Sequence, residues 1–95
     1  MYTVLVIFKI IDGEMPRFLE RMQQQARDSL ELEPECQRFD VCVDPGDSQK
    51  VLLYEIYENK AAFESHLESD HFKSFDHDVA EIVVDRKIEI YHKLP

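Results

Sequence analysis

Glycine occurs twice in 95 residues, and tryptophan does not occur at all. Two glycines cannot build a phosphate-cradling loop or a dinucleotide-binding turn, and no GxSxG nucleophile elbow is present, so the flavin, nicotinamide and nucleotide motifs are absent. Cysteine also occurs only twice, at Cys36 and Cys42. On one strand these positions lie roughly 20 Å apart, far beyond the alpha-carbon separation of about 7 Å that a disulfide tolerates. They do not form a CxxC-type metal pair either, so buried free thiols are expected. Positive charge is scarce, with 11 Lys and Arg against 20 Asp and Glu and a net charge of −9. That balance argues against nucleic acid or an anionic membrane as partner, since both need a basic surface. No apolar run approaches the roughly 20 residues of a membrane span. The N-terminal YTVLVIFKII lacks a basic leader and a small-residue cleavage site, so it does not read as a signal peptide, and a reducing cytoplasm is the expected location.

The length suits one domain, residues 1–95. A domain of this size buries only roughly 60–65% of its unfolded surface, which leaves its own core marginal. Tyr2 to Ile11 is rich in Val, Ile and aromatics and reads as a strand, apolar on both alternating sets and therefore covered on both sides. Asp12-Gly13 ends it, and Pro16 suits the first turn of a helix. Met15, Phe18, Leu19, Met22, Ala26 and Leu30 then recur at three- and four-residue steps, an amphipathic helix over about 14–32 that Glu33-Pro34 closes.

A second strand follows over 35–44, with Gln37, Phe39, Val41 and Val43 alternating against Cys36, Arg38, Asp40 and Cys42. DPGDSQ is a turn by composition. Lys50 to Glu58 is a third strand, again nearly apolar on both sides. Asn59 and Ser69 are N-caps for two short helices, the second with Asp70 in its first turn where the dipole favours a carboxylate. Val83 to Leu94 is the last strand. The order β-α-β-β-α-β, its second helix broken in two, predicts an α+β, ferredoxin-like antiparallel sheet with helices on one face. The opposite face would be a large apolar patch, so a homodimer packed sheet against sheet is expected.

Within this pattern Glu55 and His66 are out of place. Glu55 shares its side of the third strand with Val51, Leu53 and Tyr57, and His66 shares its helix face with Phe63 and Leu67. If helix packs on strand, the two point into one space. A buried carboxylate needs a partner, and an imidazole supplies one. Such a pair can orient a general base, or it can tie a helix to a sheet. His71 reads either as a cap-adjacent surface residue or as a cleft residue near His66. Five residues across a helix break is not the spacing of a helical metal site, so no metal is expected. His77 and His92 read as solvent or edge residues. Most of Phe8, Phe39, Tyr54, Tyr57, Phe63, Phe72 and Phe75 serve the core, while a subset can wall a pocket for a flat substrate.

EPECQRFDV, the turn DPGDSQ, and LYEIYENKAAFESHLESDHF together resemble the antibiotic biosynthesis monooxygenase (ABM) domain family. That family includes small quinol monooxygenases and an isomerase of a phosphorylated dione signal. The resemblance implies a dimeric α+β barrel and oxygenation of an electron-rich polyphenol without metal or flavin. It maps the family's strand glutamate and tyrosine onto Glu55 and Tyr57, its helix histidine onto His66, its His-Phe pair onto His71 and Phe72, and its cysteine and aromatic onto Cys36 and Phe39. The chain departs from the family at Glu35, where glycine is common, and at Asp70, where proline is common. The haem-degrading branch relies on a tryptophan, so haem cleavage is not expected.

The expectation is therefore a cofactor-free monooxygenase for a quinol-type aromatic, with His66 as base, Glu55 orienting it, and Tyr57, His71, Phe72, Phe39 and Phe63 holding substrate. Two rivals use the same residues. One is an isomerase or tautomerase of a small oxo compound, with Arg27, Arg38 or Arg86 available for a phosphate. The other is a non-catalytic dimeric binding module in which the Glu–His pair is a structural tie.

Overall fold

The computed structural model describes residues 1–95. Its elements are β1 (Tyr2–Ile10), α1 (Met15–Leu32), β2 (Cys36–Val43), β3 (Lys50–Tyr57), α2 (Lys60–Glu68), α3 (Asp70–Val79) and β4 (Val83–His92). The four strands form one antiparallel sheet in the order β2-β3-β1-β4, the ferredoxin-like α+β arrangement expected from the sequence.

Local chemistry sets the boundaries. Gly13 takes φ of 88° between β1 and α1, and Pro16 sits in the first turn of α1. Asp44 and Asp47 each accept a backbone N–H two residues on, from Gly46 at 2.7 Å and Gln49 at 2.9 Å, folding the β2–β3 turn. Asn59 caps α2 by accepting from the Ala62 amide at 2.8 Å. Ser69 serves both sides of the next break. Its hydroxyl accepts from the Phe72 amide, capping α3, and donates to the His66 carbonyl at 2.7 Å, closing α2. One side chain thus fixes how α2 and α3 meet.

The helices cover one face of the sheet. Val4, Val6, Phe8 and Ile10 of β1 and Val51, Leu53 and Tyr57 of β3 pack there against Phe18, Met22, Phe75 and Val79. On the opposite face Leu5 pairs with Tyr54 and Ile7 with Leu52, and all four stay only half-buried. The Arg38 guanidinium, paired to Asp40 at 2.6 Å, lies 5.0 Å above the Tyr54 ring and shields part of that face. β4 is an edge strand that extends past the helices. Its Ile88 and Ile90 lie on the helix side of the sheet yet remain 48% and 40% exposed.

Strict alternation puts Cys36 opposite Phe39, but the structure does not. The β2–β3 register shifts between Cys36 and Arg38, so one extra residue turns the chain over. Cys36 then pairs with Tyr57 on the helix side and is buried, while Cys42 is exposed on the other face. Both are free thiols.

Candidate functional site

The site begins at the end of α1. Pro34 biases the residue before it toward extended backbone, and Glu33 indeed has φ −114° and ψ 99° while its N–H bonds the Ser29 carbonyl. That turn directs its carboxylate under α2 and α3. A carboxylate beside a helix C-terminus opposes the dipole, so it needs cationic or N–H partners. It finds two. His66 Nδ1 lies 2.7 Å from Glu33 Oε2, and His71 Nε2 lies 2.7 Å from the same oxygen. The His66 contact is a hydrogen bond. The His71 nitrogen is buried without a partner in hydrogen-bond direction, even at 2.7 Å, because its ring is not aimed along that line.

The expected Glu55–His66 pair is thus replaced by Glu33–His66. Glu55 instead accepts a 2.6 Å hydrogen bond from the Tyr57 hydroxyl, two residues along the same strand face. Glu55 is only 2% exposed, and burial pushes its carboxyl up to about 7; the Tyr57 hydrogen bond and the nearby His66 hold it lower than burial alone, and Glu33 pushes it further up. Burial and the charge of Glu55 raise the Tyr57 phenol far above its ordinary value, so it stays a donor. Cys36 is pushed up to about 12 by burial, Glu33 and Glu55, which makes it a packing thiol rather than a nucleophile.

His66, 3% exposed, is ringed by aromatic side chains. Phe72 lies 5.1 Å from it by ring centroids, Tyr57 5.4 Å, Phe39 6.1 Å, and Phe63 is stacked at 6.1 Å. His71 meets it edge-on at 5.8 Å. Phe39, Tyr57, Phe63, His71 and Phe72 thus surround the His66 ring, while Glu55 is engaged by Tyr57.

A cavity of about 30 Å³ lies beside the ring, walled by Glu55, Phe39, Phe63, Phe72, Leu67 and Met22, with Arg86 and Ile88 at the β4 side. It has room for about one water. Tyr57 and His71 do not line it. Of the three candidate phosphate-binding arginines, Arg27, Arg38 and Arg86, only Arg86 borders it, paired with Asp76 at 2.7 Å and set 4.9 Å over Phe8. Arg38 is on the opposite sheet face, and Arg27 lines an outer groove of α1. A larger open groove of about 400 Å³ runs outside, between Leu32–Cys36 and the start of α2, and Glu33 stands between it and His66.

Glu33 is the residue that sequence reading misses. It marks a helix end, and only its position against the helix dipole hints at a partner. His66 and His71 share it because the break at Ser69 restarts the helical phase, bringing together two rings that a continuous helix would set apart.

No curated protein matches the chain. Solved structures do. A protein of Nitrosomonas europaea, described as a candidate antibiotic biosynthesis monooxygenase, is 26% identical with a TM-score of 0.94 over 98% of this chain and 89% of its own. Another antibiotic biosynthesis monooxygenase is 20% identical, with a TM-score of 0.90 over the full length of both chains. A conserved protein of Methanosarcina mazei Go1 is 19% identical, with a TM-score of 0.90 over 98% of this chain and 92% of its own. The sequence profile described as antibiotic biosynthesis monooxygenase matches residues 1–78. The chain belongs to the antibiotic biosynthesis monooxygenase family.

Proposed function

We propose that the protein is a small-molecule monooxygenase that oxidises a quinol or polyphenol with O2, using His66 as general base. The observation that carries this is the His66 ring itself. It is buried among aromatics, held at Nδ1 by Glu33, and borders the cavity that also holds Glu55. Donation from Nδ1–H to a carboxylate leaves Nε2 to take a proton, which is how a positioned histidine base is built.

The chemistry balances without a further reactant. Nε2 takes the hydroxyl proton, and the electron-rich anion gives one electron to O2. The resulting semiquinone and superoxide recombine, forming a C–O bond. The hydroperoxide breaks its O–O bond and loses water as His66 returns its proton, leaving an oxygenated quinone. One quinol and one O2 thus give one hydroxyquinone and one H2O. Glu55, titrating near neutrality in the same cavity, is suited to carry the second proton. Glu33 holds the place expected for Glu55, as the group that orients the base.

The cavity of about 30 Å³ is far below the roughly 300–1,000 Å³ of small-molecule sites. The substrate ring therefore lies in space opened between Phe72, Leu67 and Ile88, with only its hydroxyl reaching His66. The half-buried apolar face around Leu5, Ile7, Leu52 and Tyr54 supports a homodimer packed through that face.

The small cavity and the bordering Arg86 also support a second reading, isomerisation of a small, anionic oxo compound by the same base. A panel of quinols and anthrones, followed by oxygen electrode and with 18O2, separates the two. The oxygenase reading expects one O2 consumed per substrate, with one 18O atom in the product. Equal turnover without oxygen supports the isomerase, and no turnover of any phenolic substrate overturns both the oxygenase and the base assignment.

A further inference from the structure

We infer that Glu33, His66 and His71 form a binding site for a divalent transition-metal ion of the zinc class, and that the ion and the catalytic base state exclude one another. The site stands on its own geometry; only the exclusion rests on the reading of His66 as base.

The donor set is two imidazole nitrogens and one carboxylate oxygen, a combination that suits zinc, cobalt and nickel. The three donor atoms lie within 4.8 Å of one another. A zinc-class ion stands about 2.1 Å from each nitrogen and oxygen, which sets donors about 3–4 Å apart. The two 2.7 Å contacts to Glu33 Oε2 are close to that span, so a small outward rotation of the two rings admits the ion.

A second observation points the same way. His71 Nε2 is buried and without a hydrogen-bond partner, although a carboxylate oxygen stands 2.7 Å from it. His71 Nδ1 lies 3.3 Å from the Gln25 side-chain oxygen, and Gln25 is itself 1% exposed. With its proton on Nδ1, donated to Gln25, the ring leaves the Nε2 lone pair free beside Glu33, off the line to Oε2. A cation seated beside that line takes the lone pair and the carboxylate oxygen together as ligands. Gln25 is thereby the outer partner that metal-binding histidines ordinarily have.

The scaffold fixes the spacing, because Ser69 locks the end of α2 to the start of α3. The Glu33 side chain, 16% exposed, lines the open outer groove, which gives an ion a route to the site. Three protein donors leave a coordination position for water or an anion.

Binding has a consequence for catalysis. An ion on His66 Nδ1 uses the lone pair there and leaves the ring proton on Nε2, the nitrogen that must accept the substrate proton. Metal-loaded protein therefore cannot act as the base.

The test is titration of chelator-stripped, full-length protein with Zn2+ by calorimetry and with Co2+ by its visible d–d absorption. The expected result is one ion per chain, with affinity reduced at least about 100-fold in His71→Ala and in Glu33→Gln, and about 10- to 100-fold in Gln25→Leu. His77→Ala, a surface histidine, leaves it unchanged. Circular dichroism of each variant establishes that it is folded. No binding to the folded wild-type protein, or binding that survives His71→Ala and Glu33→Gln, overturns the site. Oxygen uptake by metal-free protein is read separately, and Zn2+ is expected to suppress it. Binding without suppression overturns the exclusion while the site stands, and absence of binding leaves the oxygenase reading where it was.

Discussion

His66 hydrogen-bonds Glu33, 33 residues earlier in the chain, with Nδ1 2.7 Å from Oε2. Glu33 closes α1 through its backbone and holds the α2 imidazole through its side chain, so the end of one helix sets the orientation of a ring on another. In the proposed reaction Glu33 is a positioning residue. Its charge stabilises the imidazolium that forms when Nε2 takes a proton.

Glu33→Gln keeps an acceptor for Nδ1–H but removes that charge. The expected outcome is a fall in kcat of at least about tenfold, part of the roughly 10²–10⁴ that a positioned base supplies. KM should stay within about twofold, since Glu33 does not reach the substrate. Steady-state kinetics on the best quinol checks this. A change confined to KM would move Glu33 into substrate binding.

Glu55 predicts a pH dependence of stability. Its carboxyl, near 4.5 when unfolded, is pushed up to about 7 in the fold, mainly by burial. Between those values the folded state binds more protons than the unfolded state, so this contribution declines as pH rises from about 4.5 to 7. Tyr57 on its own strand, His66 on α2 and Glu33 at the end of α1 are the groups that act on it. Glu55→Gln keeps the acceptor for Tyr57 and removes the titration. It should raise stability at pH 8 by on the order of 2 kcal/mol relative to wild type, with the difference shrinking toward pH 5. Urea unfolding of both proteins at the two pH values measures it. A difference that does not change with pH contradicts the raised carboxyl.

Much of this was legible in the sequence, and the failures have physical causes. Alternation in β1 and β3, with three-and-four spacing in α1, specifies the fold and the half-covered sheet, because burial selects apolar residues at those periods. Glu55 and His66 stood out as polar groups on apolar faces. Strict alternation puts Cys36 on the wrong side, because one extra residue at the β2 bulge inverts a period of two. Glu33 carries no signal in residue order, because its role depends on where the chain before Pro34 aims its side chain. His71 is ambiguous in the sequence because the helix break at Ser69 resets the phase. The size of the cavity depends on packing and has no signature in residue order.

The uncovered sheet face predicts association. Wild-type protein should elute with a light-scattering mass about twice the 11.3 kDa of the chain. Leu5→Glu places a charge at the centre of the face, beside Tyr54, and should shift the population toward monomer while leaving circular dichroism unchanged. A monomeric wild-type protein contradicts the expected pairing.

His66→Ala is the most direct measurement. Oxygen uptake on the best quinol is compared between wild type and variant, with melting curves establishing that both are folded, and with added imidazole as a replacement base. His66 as the base predicts a loss of roughly 10²–10⁴-fold in kcat and partial recovery with imidazole. Unchanged oxygen uptake by the folded variant would contradict it.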